Sequence, residues 1–196
     1  MMRVERTDNP AKDLIDPSAA AWRDLASEKV SLSPVPLEAQ PNAYIRNSRA
    51  DRPYGKTAEA KASALGNGTQ LFVRLEWQDD AKPNTEFGDS AAVLTGKGKT
   101  IQTLGSDAEP INMWSWSSDR EAGLSLVSKG PGVVEKNPDV EVAAAANLGD
   151  GRWSVVLSGP MSQVADKKIG IAIWNGSNEE RAGLAAVSGW LSLDME

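Results

Sequence analysis

From about residue 57 onward, apolar and polar positions alternate with a period of two. In Gln70–Trp77 (QLFVRLEW), Leu71, Val73, Leu75 and Trp77 fall on one face, with Phe72, Arg74 and Glu76 on the other. That pattern predicts a half-buried antiparallel strand. Ala58–Leu65 precedes it across the turn signal Gly66-Asn67-Gly68. Asp89–Leu94 (DSAAVL) reads as a short buried strand after an acidic loop. A loop from Thr103, punctuated by Gly105 and Pro110, leads into Ile111–Trp116, where alternation sends Asn112, Trp114 and Trp116 to one side and Met113 to the other. Leu124 and Leu126 mark a further strand that ends at Gly130-Pro131-Gly132. Val140–Ala144 and Trp153–Leu157 flank Asn147-Leu148-Gly149-Asp150-Gly151 as a hairpin. Lys168–Asn175 (KIGIAIWN) places Ile169, Ile171 and Ile173 opposite Gly170, Ala172 and Trp174, and Val187–Leu193 closes the series.

The first third is different. Residues 1–17 are polar, carry Pro10 and Pro17, and read as an arm. Ser18–Lys29 predicts one short helix with Ser18 as its cap and Trp22 turned inward. Residues 30–41 contain three prolines and should run extended, as an edge strand. Asn42–Lys56, polar and rich in arginine, reads as a loop. The expectation is an all-β fold, an antiparallel β-sandwich with one short N-terminal helix and long loops. It is organised as an arm (1–17) and a single domain (18–196).

Composition narrows the chemistry. The 196 residues carry 27 acidic and 21 basic side chains, a net charge of −6, so there is no basic footprint for nucleic acid. The absence of cysteine excludes thiolate metal sites and disulfides, and the absence of histidine removes the usual general base and the commonest haem ligand. No apolar run is long enough to span a bilayer. The first residues carry no secretory signal pattern, which leads to the expectation of a cytoplasmic protein, one whose signal has been removed, or one exported with a signal-bearing partner.

Most local motifs stay weak. Gly96-Lys97-Gly98-Lys99-Thr100 imitates the end of a phosphate loop, but Val93 stands where the motif needs glycine. Asp79, Asp80, Glu86 and Asp89 could offer oxygens to calcium, at a spacing that fits no standard calcium loop. Asn67-Gly68-Thr69 and Asn175-Gly176-Ser177 match the glycosylation pattern but are first of all turns. Of the seven tryptophans, Trp77, Trp153 and Trp174 are expected to fill the core. Trp114 and Trp116 are open between core and a platform for a planar ligand.

Four segments in order, LFVRLEW (71–77), FGDSAAV (87–93), TLGSDAEPINMWSW (103–116) and GIAIWNGSNEERAGLAAVS (170–188), resemble the haem b-binding gamma subunits of ethylbenzene dehydrogenase, dimethylsulfide dehydrogenase and related molybdenum enzymes. The resemblance covers nearly everything after residue 18 and implies a β-sandwich. It also implies an iron held by a methionine just before the glycine of the first loop and by a lysine just after the Arg-x-Gly of the last. Those positions fall on Leu104 and Ala185, and no lysine follows Lys168. The pocket implied by the resemblance contains Asn112, Trp114 and Trp116, with Met113 the nearby methionine, turned away from it by alternation.

The resemblance further implies a molybdopterin catalytic subunit and an iron–sulfur subunit as partners. With both axial ligands substituted, the expected role is a non-catalytic, haem-free accessory subunit. A haem b electron-transfer subunit with unusual ligation and a carbohydrate-binding module are the alternatives.

Overall fold

The computed structural model describes residues 1–80, 86–99, 101–120 and 122–195. In chain order the elements begin with β1 (Met2–Arg6), α1 (Ala11–Leu14), β2 (Glu28–Ser31), β3 (Ser33–Pro34), α2 (Ala43–Arg49), β4 (Glu59–Gly66) and β5 (Gln70–Gln78). Then follow β6 (Ser90–Thr95), β7 (Ile111–Ser117), β8 (Leu124–Ser128), β9 (Val134–Lys136), β10 (Ala143–Gly149) and β11 (Arg152–Pro160). The last are β12 (Lys168–Trp174), β13 (Ala186–Val187) and β14 (Leu191–Met195). The fold is all-β.

The strands form one hydrogen-bonded path, β10-β11-β5-β4-β1-β14-β12-β6-β7-β8-β9, with β2 on β4 and β13 between β12 and β3. The path folds over near β14, which pairs with β12 only at Lys168↔Ser192 and Ile169↔Leu191. The inner faces of β4, β5 and β11 then meet those of β6, β7 and β12. Leu71, Val73, Leu75 and Trp77 pack there with Val155, Leu157, Trp114, Trp116 and the three isoleucines of β12. The alternation read from the chain therefore predicts the shared face of β5 and of β11 that enters the core, and groups the three isoleucines of β12 correctly.

Both outer faces are covered too. Phe72 and Val156 lie beneath Leu14 and Trp22 on one side. On the other, Ala92, Leu94, Met113, Ala172 and Trp174 lie beneath Val35, Tyr54, Ile101, Leu104, Leu184 and Ala185. A strand buried on both faces uses both sets of its alternating residues for packing. This explains why Phe72 and Met113 are apolar at positions a one-sided strand would leave wet.

Three expectations are corrected. Residues 1–17 do not form a separate arm: Met2–Arg6 lies inside the sheet, parallel to both neighbours (Met2↔Leu193 and Val4↔Ala64), so the sheet is not wholly antiparallel. The helix expected over Ser18–Lys29 is absent. The Ser18 amide and hydroxyl both donate to Asp16 Oδ1, closing a turn instead of capping a helix. Only one 3-10 turn, Ala20–Trp22, follows, and by Glu28 the chain pairs with β4. Trp22 does turn inward, donating its indole N–H to the Leu14 carbonyl at 3.0 Å beneath the Arg74 guanidinium. The stretch read as a loop, Asn42–Lys56, holds α2, which begins where Asn42 Oδ1 accepts the Tyr44 amide at 2.8 Å.

Candidate functional site

Two loops converge on the outer face of β6, β7 and β12. The first follows β6 and carries Leu104, whose backbone takes a left-handed conformation (φ 55°) and whose amide donates to the Ile101 carbonyl. The buried Ser128 hydroxyl donates to the Leu104 carbonyl at 2.6 Å. Gly105, also at positive φ, must be glycine: a Cβ there would stand 2.8 Å from the Ser128 carbonyl. Ser106 and Glu109 close the loop, the Ser106 amide donating to the Glu109 carbonyl and the Glu109 amide to the Ser106 hydroxyl.

The second loop leaves β12 at Trp174. Glu180 is almost fully buried, and its carboxylate accepts from the Lys56 amide (3.0 Å), the Asn175 amide (2.8 Å) and Asn178 Nδ2 (2.9 Å). Asp89, at the start of β6, accepts the Gly176 amide at 2.8 Å and the Trp153 indole at 3.0 Å. Gly176 leaves no room for a side chain, since a Cβ would reach within 2.2 Å of the Phe87 carbonyl. Trp174 donates its indole N–H to the Ala182 carbonyl, and Gln40 Nε2 donates to that of Gly183. Asp89, Asn175, Gly176, Glu180 and Gly183 are thus joinery that fixes the loop's path.

Between the loops lies a cavity of about 170 Å³, lined chiefly by Leu104, Met113, Leu126, Trp174 and Arg181, with the hydroxyl-bearing Ser115 on its wall. Ala185 lies fully buried in the same apolar cluster as Leu104 and Met113 without lining the cavity. The sequence reading separates the residues of β7 correctly, and this cavity lies on the Met113 side of the strand, not on the side of Asn112, Trp114 and Trp116. Met113 faces the cavity, whereas Trp114 and Trp116 point into the inter-sheet core at 0% and 4% exposure. Trp174, expected as core filling between the sheets, is on the cavity side.

Trp116 sits edge-on to Trp153 (centroids 4.9 Å apart) and to Trp77 (6.4 Å), and Trp114 donates to Gln163 Oε1 at 2.7 Å. Neither forms a surface platform. Asn112 opens instead onto a separate polar groove shared with Gly96, Lys97, Glu109 and Gln163. Of the carboxylates considered for calcium, Asp89 is engaged as above and Asp80 Oδ1 accepts from Gln78 Nε2. Asp79 is nearly buried, with its amide donating to the Gly151 carbonyl, and Glu86 is exposed. Among the described residues they do not combine into a group of three or more carboxylates suited to a metal. The middle of that acidic loop, 81–85, lies outside the described residues, as does Thr100 of the Gly/Lys turn.

The chain is 33% identical over 195 residues to the chlorate reductase gamma subunit of Ideonella dechloratans, an alignment that covers 90% of this chain and 77% of that protein. The chain belongs to the gamma-subunit family of molybdenum enzymes. A Haloferax mediterranei protein, named provisionally as a respiratory nitrate reductase heme subunit, is 28% identical over 192 residues, 89% of this chain and 66% of that one. No protein-family profile matches. Among solved structures, a family 9 carbohydrate-binding module from Caldicellulosiruptor kristjanssonii in complex with glucose superposes with a TM-score of 0.54 at 11% identity, covering all of this chain and 96% of that one. The same module with cellotriose gives 0.53. Likeness at that identity speaks for the sandwich alone.

The cavity offers a poor fit to the family's haem. Leu104 and Ala185, where the resemblance would put the axial ligands, have no lone pair to give iron. Met113 supplies the single thioether in the lining, and no imidazole, thiolate or amine lines it among the described residues. At about 170 Å³ the cavity also falls below the roughly 300–1,000 Å³ of ordinary ligand and cofactor pockets.

Proposed function

We propose that this gamma-subunit family member is a non-catalytic accessory subunit of a molybdenum oxidoreductase complex whose haem position has been taken over by its own side chains. Its role is structural: it docks a molybdopterin catalytic subunit and an iron–sulfur subunit without carrying electrons. The observation that carries the reading is the pairing of Leu104 and Ala185, both fully buried in one apolar cluster where the family places methionine and lysine. Burial of both side chains gives each substitution a packing role. The frame around them is held by the bonds of Glu180, Asp89 and Ser128.

Absorption spectroscopy of the protein purified with its partners tests this reading. No Soret band and no reduced α and β bands are expected, and their appearance would overturn it. Co-purification with a molybdenum-containing subunit is expected, and its failure from the native host would remove the docking role. The double variant Leu104→Met with Ala185→Lys should gain haem on reconstitution. A folded double variant that takes up none would show that these are not the ligand positions.

A second reading, a haem b electron-transfer subunit with unusual ligation, draws on the Met113 thioether in the cavity wall and on the heme-subunit name of the Haloferax relative. It predicts a Soret band that Met113→Leu alters. The carbohydrate-binding reading is weakened because Trp114 and Trp116, its aromatic candidates, are buried.

A further inference from the structure

The cavity beneath Leu104 has features that a merely collapsed pocket would lack. Its walls are mainly apolar, with Met113, Leu126 and Trp174 as the larger surfaces, and it opens past Gly132 and Val134, the latter 48% exposed. Arg181 stands in its lining with its guanidinium carbon 4.2 Å from the centre of the Phe87 ring. That cation forms no ion pair among the described residues. Glu179, its near neighbour in sequence, is held by Arg52 at 2.9 Å, and the Glu180 carboxylate is turned into the backbone amides of Lys56 and Asn175. The result is an apolar chamber with an exposed guanidinium in its lining, electrostatically close to Glu179 but not bonded to it.

Size decides what such a chamber takes. An apolar cavity of roughly 150 Å³ accommodates benzene. The present one, at about 170 Å³, has room for one ring or a short alkyl chain and a small head group. We propose that it binds a small amphipathic carboxylate, with a single ring or a chain of about six carbons lying against Met113, Leu126 and Trp174 and the carboxylate on Arg181. A guanidinium gives such an anion two parallel donors, whereas the apolar walls disfavour a sugar or an inorganic anion. The inference rests on the haem-free reading, because a macrocycle would fill the same space.

The test uses benzoate as the probe and the intrinsic fluorescence of Trp174 and its neighbours as the readout, on a preparation whose visible spectrum has been recorded first. Saturable quenching by benzoate is expected, with benzyl alcohol binding at least tenfold more weakly. Arg181→Gln, at an exposed position, should weaken benzoate about tenfold or more while leaving benzyl alcohol unchanged, the effect of losing one charged hydrogen-bond pair. Leu126→Trp on β8 should abolish binding of both by filling the chamber. A Soret band in the starting spectrum would sink the haem-free reading. A spectrum without one, together with no saturable benzoate binding or with equal affinity in Arg181→Gln, would sink this inference and leave that reading standing.

Discussion

The two faces of β7 are packed by opposite means. On the inner face Trp114 and Trp116 are locked between sheets. Gly159 on β11 is so close beneath the Trp114 ring that a Cβ would approach within 2.2 Å, and Trp116 joins Trp77 and Trp153 in edge-on contact. On the outer face, a residue away, the Met113 thioether meets a leucine held at positive φ and a cavity. A face built of interlocking rings and glycine niches has one solution, whereas a face covered by loops can lose a ligand and refill. The contrast is what the proposed haem-free reading needs: a rigid frame beside a face whose occupants can change.

The largest break in this contrast should come from Trp114→Ala. It removes a fully buried indole and strands Gln163, with an expected loss of about 4 kcal/mol in urea denaturation. Met113→Ala, on the loosely packed side, should lose only about 2 kcal/mol, at the low end of such truncations. Equal losses at the two positions would mean that the faces are packed alike. Glu180→Ala comes next: leaving the Lys56 and Asn175 amides without their acceptor should cost about 2–3 kcal/mol and loosen the second loop. Hydrogen exchange at those two amides, faster in the variant, would localise the effect.

A smaller effect should follow pH. Burial, the dominant cause, raises the Tyr54 phenol above its ordinary 10.0, with Glu38 adding to the shift and the Gln40 side chain and Arg49 opposing it. A group whose folded pKa is raised contributes stability that is complete below the unfolded value and is lost as pH rises through the folded one. The outer face should therefore weaken above about pH 10, as Tyr54 gives up the proton it donates to the Val35 carbonyl. The loss should be about 1 kcal/mol at first. Tyr54→Phe should flatten that alkaline limb in denaturation curves; an unchanged limb would assign it to other groups. Smallest of all, Ala182→Gly should stabilise by up to about 1 kcal/mol, because Ala182 is exposed and sits at φ 53°. A drop in Tm would show that the Ala182 methyl contributes more through packing than its backbone loses.

Which parts of this were legible follows the range of the forces involved. Alternation placed Leu71, Val73, Leu75 and Trp77 on the core side because period-two patterning is a local property. It could not assign the pocket to Met113's side of β7, since that depends on loops from residues 101–110 and 180–185 folding over the outer face. The sheet position of Met2–Arg6 was equally hidden: its partners lie near residues 64 and 193, and a short MRVER segment carries no signal of them. The helix expected after Ser18 lost to an Asp16 turn and to pairing of β2 with β4, tertiary terms that outweigh propensity. The start of α2 is readable in principle, since Asn42 is a good cap, but the arginines after it give the segment the polar pattern of a loop.

The parallel placement of Met2–Arg6 has a consequence for how the chain reaches this state. The strand is the splice between β4 and β14, so the path is continuous only when residues near the beginning and near 193–195 have met. Such distant pairing puts the greatest loop-closure entropy into the last seam and slows folding. Until that seam closes, β4 and β14 each present an open edge, the surface on which nascent sheets cross-pair. A chaperone or an already folded partner would therefore matter most once residues 191–195 have been made, when those two edges are waiting for the same five residues.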